Sequence, residues 1–146
     1  MTVQVRWTDL EPGTIRHAEV HEVVLTARSD VEELVARLAR PDTSEALLVH
    51  SARPLKTSSL TGGSAPDHRV VVAVGSSGFG YVEYLGPGGV DQLVGDPGSP
   101  EWHTTTGGHF PAGAGVDLAT LVEVVEEFRV TAARPASVGW RDALGD

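Results

Sequence analysis

Val3, Val5 and Trp7 alternate with Gln4 and Arg6 at the start of the chain, the period-two pattern of a strand with one buried face. Pro12-Gly13 predicts a turn, after which Arg16 to Ala27 reads as a second strand paired with the first. The period then changes. Val31, Leu34, Val35, Leu38 and Ala39 fall on one helical stripe, Ser29 and Glu32 have capping-box spacing, and Pro41 closes the helix. Glu45 to Ala52 reads as a strand buried at Leu47 to Val49. Arg53 to Asp67 turns to Pro, Ser, Thr and Gly, which predicts a long surface loop and the chain's main place of mobility. His68 to Gly75 is a continuous β-branched run, expected of a central strand covered on both faces.

In the next segment Phe79, Tyr81, Glu83 and Leu85 point to one side of a strand and Val82 and Tyr84 to the other. Gly86-Pro87-Gly88-Gly89 is a turn, and Val90 to Gly95 returns as a strand. Asp96 to Pro100 turns again, Glu101 to Thr106 is strand-like, and Gly107 to Gly115 is a loop. Asp117 then caps a second helix with Leu118, Leu121, Val122, Val125 and Phe128 on its apolar face. Ala136 to Asp142 closes the chain as a strand. The order β-β-α-β-β-β-β-β-α-β, joined mostly by hairpin-length turns, predicts an α+β fold. Its sheet is mainly antiparallel, about six to eight strands, with two helices packed on one face. One domain, 1–146, accounts for the length.

Composition narrows the function classes. There are no cysteines, which removes disulfides, thiolate metal sites and cysteine nucleophiles and fits a reducing cytoplasm. The N-terminus lacks the apolar stretch of a signal peptide, and no run is long enough to span a membrane. The net charge is -9, from 20 acidic and 11 basic side chains. That sign repels nucleic-acid phosphates; it suits a basic partner, and it serves solubility equally.

No motif commits the chain to a reaction. The glycine-rich stretch from Gly78 to Gly89 is followed by a strand, whereas a phosphate-binding loop must be followed by a helix N-terminus, so a hairpin is expected. Gly107 to Gly115 does precede a helix, but Asp117 occupies the anion's place. His17 and His21, on one strand face, would stand about 13 Å apart, too far for one ion. His103 and His109 match no zinc spacing, so the histidines are expected to be exposed or hydrogen-bonded and no metal or cofactor is assigned. Gly-x-Ser-x-Gly does not occur, and the Glu32-Glu33 and Glu126-Glu127 pairs diverge on their helices. No catalytic residue is assigned. What remains is surface: Glu123, Glu126 and Glu127 form an acidic ridge with little basic compensation beyond Arg129, and Tyr81, Tyr84, Trp102 and Trp140 are the aromatics that could anchor an interface.

The C-terminal half carries a recognisable series: Gly80-Tyr81 in a strand, Gly95-Asp96-Pro97 in a turn, Phe110 to Gly113 in a loop, the acidic helix from Val116 to Phe128, and Arg134-Pro135 through Val138 to Trp140. In order and spacing this resembles immunity protein family 1, small actinobacterial antidotes of bacterial polymorphic toxin systems. The resemblance runs from about Gly78 to Asp142. Gly139 and the run Thr104 to Thr106 depart from the family pattern at surfaces that could set partner choice. It implies a cytoplasmic, non-catalytic protein that binds a cognate toxin, often a nucleic-acid deaminase, whose basic entrance an acidic protein could cover. It supplies no contact residues. From the residues themselves, Glu83, Tyr84, Trp102, Glu123, Glu126 and Glu127 are the expected partner contacts, on a monomer or small homo-oligomer. The alternative is a small-molecule-binding or enzymatic domain with a cleft near residues 53–67, drawing on Glu83 or His50. A third reading is a structural subunit associating through exposed strand edges.

Overall fold

A computed structural model describes residues 2–9, 19–41, 43–57, 62–104 and 107–143. The Pro12-Gly13 turn, His17, the centre of the 53–67 loop, and Thr105 and Thr106 lie outside the described residues.

The element order is β1 (Val3–Asp9), β2 (Glu19–Leu25), α1 (Arg28–Leu38), β3 (Ala46–His50), β4 (Leu55–Thr57), β5 (Ser64–Pro66), β6 (Arg69–Val74), β7 (Gly80–Gly86), β8 (Gly89–Val94), β9 (Trp102–His103), β10 (His109–Phe110), α2 (Leu118–Thr131) and β11 (Gly139–Asp142). Seven strands form one antiparallel sheet in the order β11-β8-β7-β6-β3-β1-β2. The fold is α+β. β6 is the fourth of the seven, the central position expected from its unbroken β-branched run.

The pleat sorts the side chains. Val3, Val5 and Trp7, with Leu48, Val70, Val72, Val82 and Tyr84, face both helices and meet Val31, Leu34, Val35 and Leu38 of α1 and Leu121, Val124, Val125 and Phe128 of α2 in one core. The expected α2 stripe omitted Val124. Leu118 and Val122 are only partly buried at its edge, because the helix rests on the i, i+3, i+4, i+7 set beginning at Leu121.

Among the described residues, the opposite face is covered at one end only. After β8 the chain folds back so that Phe110 and Ala114 cover Ala73 and Tyr81, with Phe79 and Trp102 packed alongside. Side-chain bonds help hold this segment down: Tyr81 Oη donates to Pro100 O (2.6 Å) and Gln92 Nε2 to His109 O (2.9 Å). Gly95 is required here, since a Cβ would come within 2.2 Å of the Gly115 carbonyl oxygen. The stretch from Gly78 to Gly89 is β7 and its turn into β8, with Gly89 at φ +129°, a left-handed value that favours glycine.

Local expectations are corrected at four places. The α1 N-cap is Ala27, with Ser29 inside the first turn; Asp30 reaches back to accept from Thr26 N (2.8 Å) and Ala27 N (3.1 Å), a shorter carboxylate doing what Glu32 was expected to do. Ala39 is the exposed C-cap of α1. The 53–67 segment contains a short hairpin, β4 with β5, too brief to leave a pattern in the sequence. The Gly107 to Gly115 loop contributes β10, which pairs β9 in a separate ribbon.

Candidate partner-binding surface

The six expected contact residues do not share one surface. Glu83 is half-buried on the face opposite the helices, where its Oε1 accepts from Gln92 Nε2 (3.3 Å). Trp102, on the same side, lies over Gly75 and Tyr81. Tyr84 points the other way. It is 8% exposed, with its ring 6.3 Å from both Phe128 and Trp140, so it is a core residue and not a surface anchor. Neighbours on one strand alternate faces, and Glu83 and Tyr84 show it.

Nor is the ridge on α2 uncompensated. Arg28 at the start of α1 clamps Glu123 through both guanidinium nitrogens and approaches Glu32 at 3.5 Å. Arg129 grips Glu126 through Nε and Nη2. Glu127 accepts the backbone N–H of Ala136 and tethers the segment after the helix. Each hydrogen-bonding partner holds its carboxyl below the usual range: Arg28 for Glu123, Arg129 for Glu126, and Ser137 with Ala136 for Glu127. The Arg28 contact spans 95 positions and leaves no local trace in the sequence.

A buried polar network fills the end of the sheet beneath the C-terminus of α2. Arg53 binds Asp67 through Nε (2.9 Å) and Nη2 (2.8 Å), and its Nη1 donates to Ala132 O (3.0 Å), the left-handed residue that caps α2. His68 accepts His50 N–H on Nε2 (2.8 Å) and gives its Nδ1 proton to Asp67 (2.9 Å). His50 accepts Ala52 N–H on Nδ1 (3.0 Å) and donates from Nε2 to Arg129 O (2.7 Å). Each imidazole therefore accepts on one nitrogen and donates from the other, with the roles of Nδ1 and Nε2 reversed between the two. This is the region of the alternative cleft. Among the described residues its depression is lined by Val49, Pro66, Asp67, His68, Arg69, Leu85 and Gly86, and the polar groups bond to one another instead of converging on the space. Glu83 does not line it, and His50 is 1% exposed.

The network makes stability pH-dependent. Burial holds the His68 pKa below its usual value, so between that depressed value and about 6.5 the unfolded chain binds the proton that the fold refuses. Stability is thus full above about pH 6.5 and falls as the pH drops below it. Arg53 holds Asp67 down to about 2, so a second loss, about 2 kcal/mol, develops as the pH falls from about 4 toward 2. Urea denaturation across this range is expected to show both declines, the lower one reduced by about 2 kcal/mol in Asp67→Asn.

Among the described residues, the face opposite the helices is uncovered over β2, β1, β3 and the start of β6. It presents Val24, Leu47 and Val49 among Gln4, Arg6, Glu22 and Arg69, which line one shallow groove. Register sets this patch: Leu47 sits opposite Arg6 on β1 and Val71 on β6, while Gln4 pairs with Val24 and Val49. Val24 is 50% exposed. An apolar centre with a charged rim is the usual make-up of a protein interface. The run from Leu47 to Val49 was read as wholly buried; instead Leu48 alone enters the core and its two neighbours face outward.

The family model described as Immunity protein Imm1 matches residues 19–142. The chain belongs to the Imm1 family of immunity proteins. No curated protein and no solved structure gives a match. The motif residues of this Imm1 protein are structural. Tyr81 packs against Phe110 (centroids 5.3 Å apart), Gly95 against Gly115, and Trp140 Nε1 donates to Pro135 O (2.7 Å) beneath the Arg134 guanidinium. They build the scaffold. Among the described residues, no helix is long and apolar enough to cross a membrane.

Proposed function

We propose that this Imm1 protein neutralises a cognate bacterial toxin in the cytoplasm by non-catalytic association, presenting the uncovered sheet face around Leu47 and Val49. The observation that carries the reading is the family match over residues 19–142. The arrangement of polar side chains supports it: buried His50 and His68 and half-buried Asp67 and Arg53, the groups best suited to chemistry, bond to one another. Glu83 and Trp102, on the same side of the sheet, flank the contact in this reading. Glu123, Glu126 and Glu127 act at longer range, adding to a field that draws in a basic partner. The toxin class proposed is a nucleic-acid deaminase. A net charge of -9 suits a protein that covers an entrance built for polyanions.

Co-expression with the toxin encoded beside this chain tests the proposal. Cells producing both should survive induction that kills cells producing the toxin alone. Equal killing in the two cultures removes the reading.

A further inference from the structure

The β9–β10 ribbon carries a cluster that the toxin-binding reading does not use. His103 and His109 are register partners across the ribbon, with ring centroids 4.7 Å apart. Glu101 reaches both: Oε1 is 3.1 Å from His103 Nε2, and Oε2 is 3.0 Å from His109 Nε2. One ligand atom from each of the three residues lies within 4.8 Å of the other two. Thr104 N–H donates to Gly108 O (2.8 Å), so the alternation of an antiparallel ladder makes His103–His109 a non-hydrogen-bonded pair, where facing side chains come closest. The next pair along is Trp102 with Phe110, and Phe110 is fully buried against Tyr81. The ribbon is therefore clamped from beneath while its histidines and glutamate stand in solvent.

We propose that Glu101, His103 and His109 form a surface site for a divalent transition-metal cation of borderline softness, Zn2+ foremost. Two imidazole nitrogens and a carboxylate oxygen suit Zn2+ or Ni2+, whereas Mg2+ and Ca2+ require a shell of oxygens. Three protein ligands leave a position for water or for a side chain of another molecule. Each Nε2 would coordinate as a lone pair with its ring proton on Nδ1, so acid weakens binding by protonating the rings. Glu101 already points its two oxygens at the two nitrogens a cation would join, which reduces the cost of assembling the ligands. The six-residue gap in the sequence hides the pair; the ribbon creates it.

A second trio, Asp9, Glu19 and His21, also converges, but its charge is already answered. Arg37 Nη2 sits 2.9 Å from Asp9 Oδ2, the oxygen that His21 Nε2 approaches at 2.7 Å, and the His21 ring is stacked on Trp7. A cation there would have to displace the guanidinium.

Calorimetric titration of the full chain with ZnCl2, NiCl2 and MgCl2 tests the site, with histidine ring NMR as a second readout. One equivalent of Zn2+ or Ni2+ should bind and Mg2+ should not, with ring signals moving for His103 and His109. His103→Ala and His109→Ala should each weaken binding about tenfold or more, the double variant should abolish it, and His21→Ala should leave it unchanged. Both ring positions are exposed, so unchanged melting of the metal-free variants shows that they fold. Absence of saturable Zn2+ binding, or binding that survives in the double variant, overturns the proposal.

Discussion

Phe128→Ala is expected to lower the unfolding free energy by about 3–5 kcal/mol, a fall in melting temperature on the order of 10–15 °C for a chain of this size. Phe128 is 1% exposed and touches three aromatic neighbours: His50 edge-on at 5.6 Å, His68 at 5.8 Å and Tyr84 at 6.3 Å. It seats α2 on the sheet and also seals the histidine network from water. Truncation therefore leaves a cavity and wets the imidazoles. Because burial is what depresses the His68 pKa, the same variant should lose part of its stability decline below pH 6.5. Phe128→Leu, which refills most of the volume, should cost less than half as much. Thermal and urea denaturation read both effects; a melting temperature within about 2 °C of the parent would show that α2 is not held there.

Leu47→Asp is expected to weaken toxin binding about a hundredfold or more, about 2.7 kcal/mol, with little loss of fold. Leu47 is only half-buried, and Arg6 directly opposite on β1 can pair with the new carboxylate in the free protein. In the complex that charge would be buried at the apolar centre of the contact, where it costs most. Glu123→Gln, which removes one charge from α2, should change affinity by about twofold and act mainly on the association rate at low salt. Surface plasmon resonance against the purified toxin distinguishes the faces. Unchanged binding by Leu47→Asp, together with loss of binding in Glu123→Gln, would move the contact to the helical side.

The fold was legible where side-chain period alone decides it. The alternation Val3-Val5-Trp7, the continuous run into β6 and the split of β7 into two faces all reappear in the sheet. Asp117 caps α2 as its position predicted, accepting from Thr120 N. What escaped were elements of two or three residues, β4, β5 and β10, which pair without any period to betray them, whereas β9 falls within the strand-like stretch Glu101 to Thr106. The candidate site was less legible. The α2 glutamates read as a free ridge because their compensation comes from Arg28, on another helix, and from the Ala136 backbone. Glu83 and Tyr84 were both named as contacts although they face opposite ways, and it is the helical side of the strand, where Tyr84 lies, that is buried. The uncovered groove depends on which strands sit at the sheet's far end. β2, β1 and β3 are adjacent in space, but α1 and a loop separate β2 from β3 in the chain.

The central claim is that the protein acts by occupying its toxin, molecule for molecule. Titrating a fixed amount of purified toxin with this chain while following the toxin's own activity tests it most directly. The account predicts that inhibition is complete near one equivalent and that active toxin is recovered once the complex is dissociated. Complete silencing at a small fraction of an equivalent, with toxin that stays inactive after separation, would contradict it.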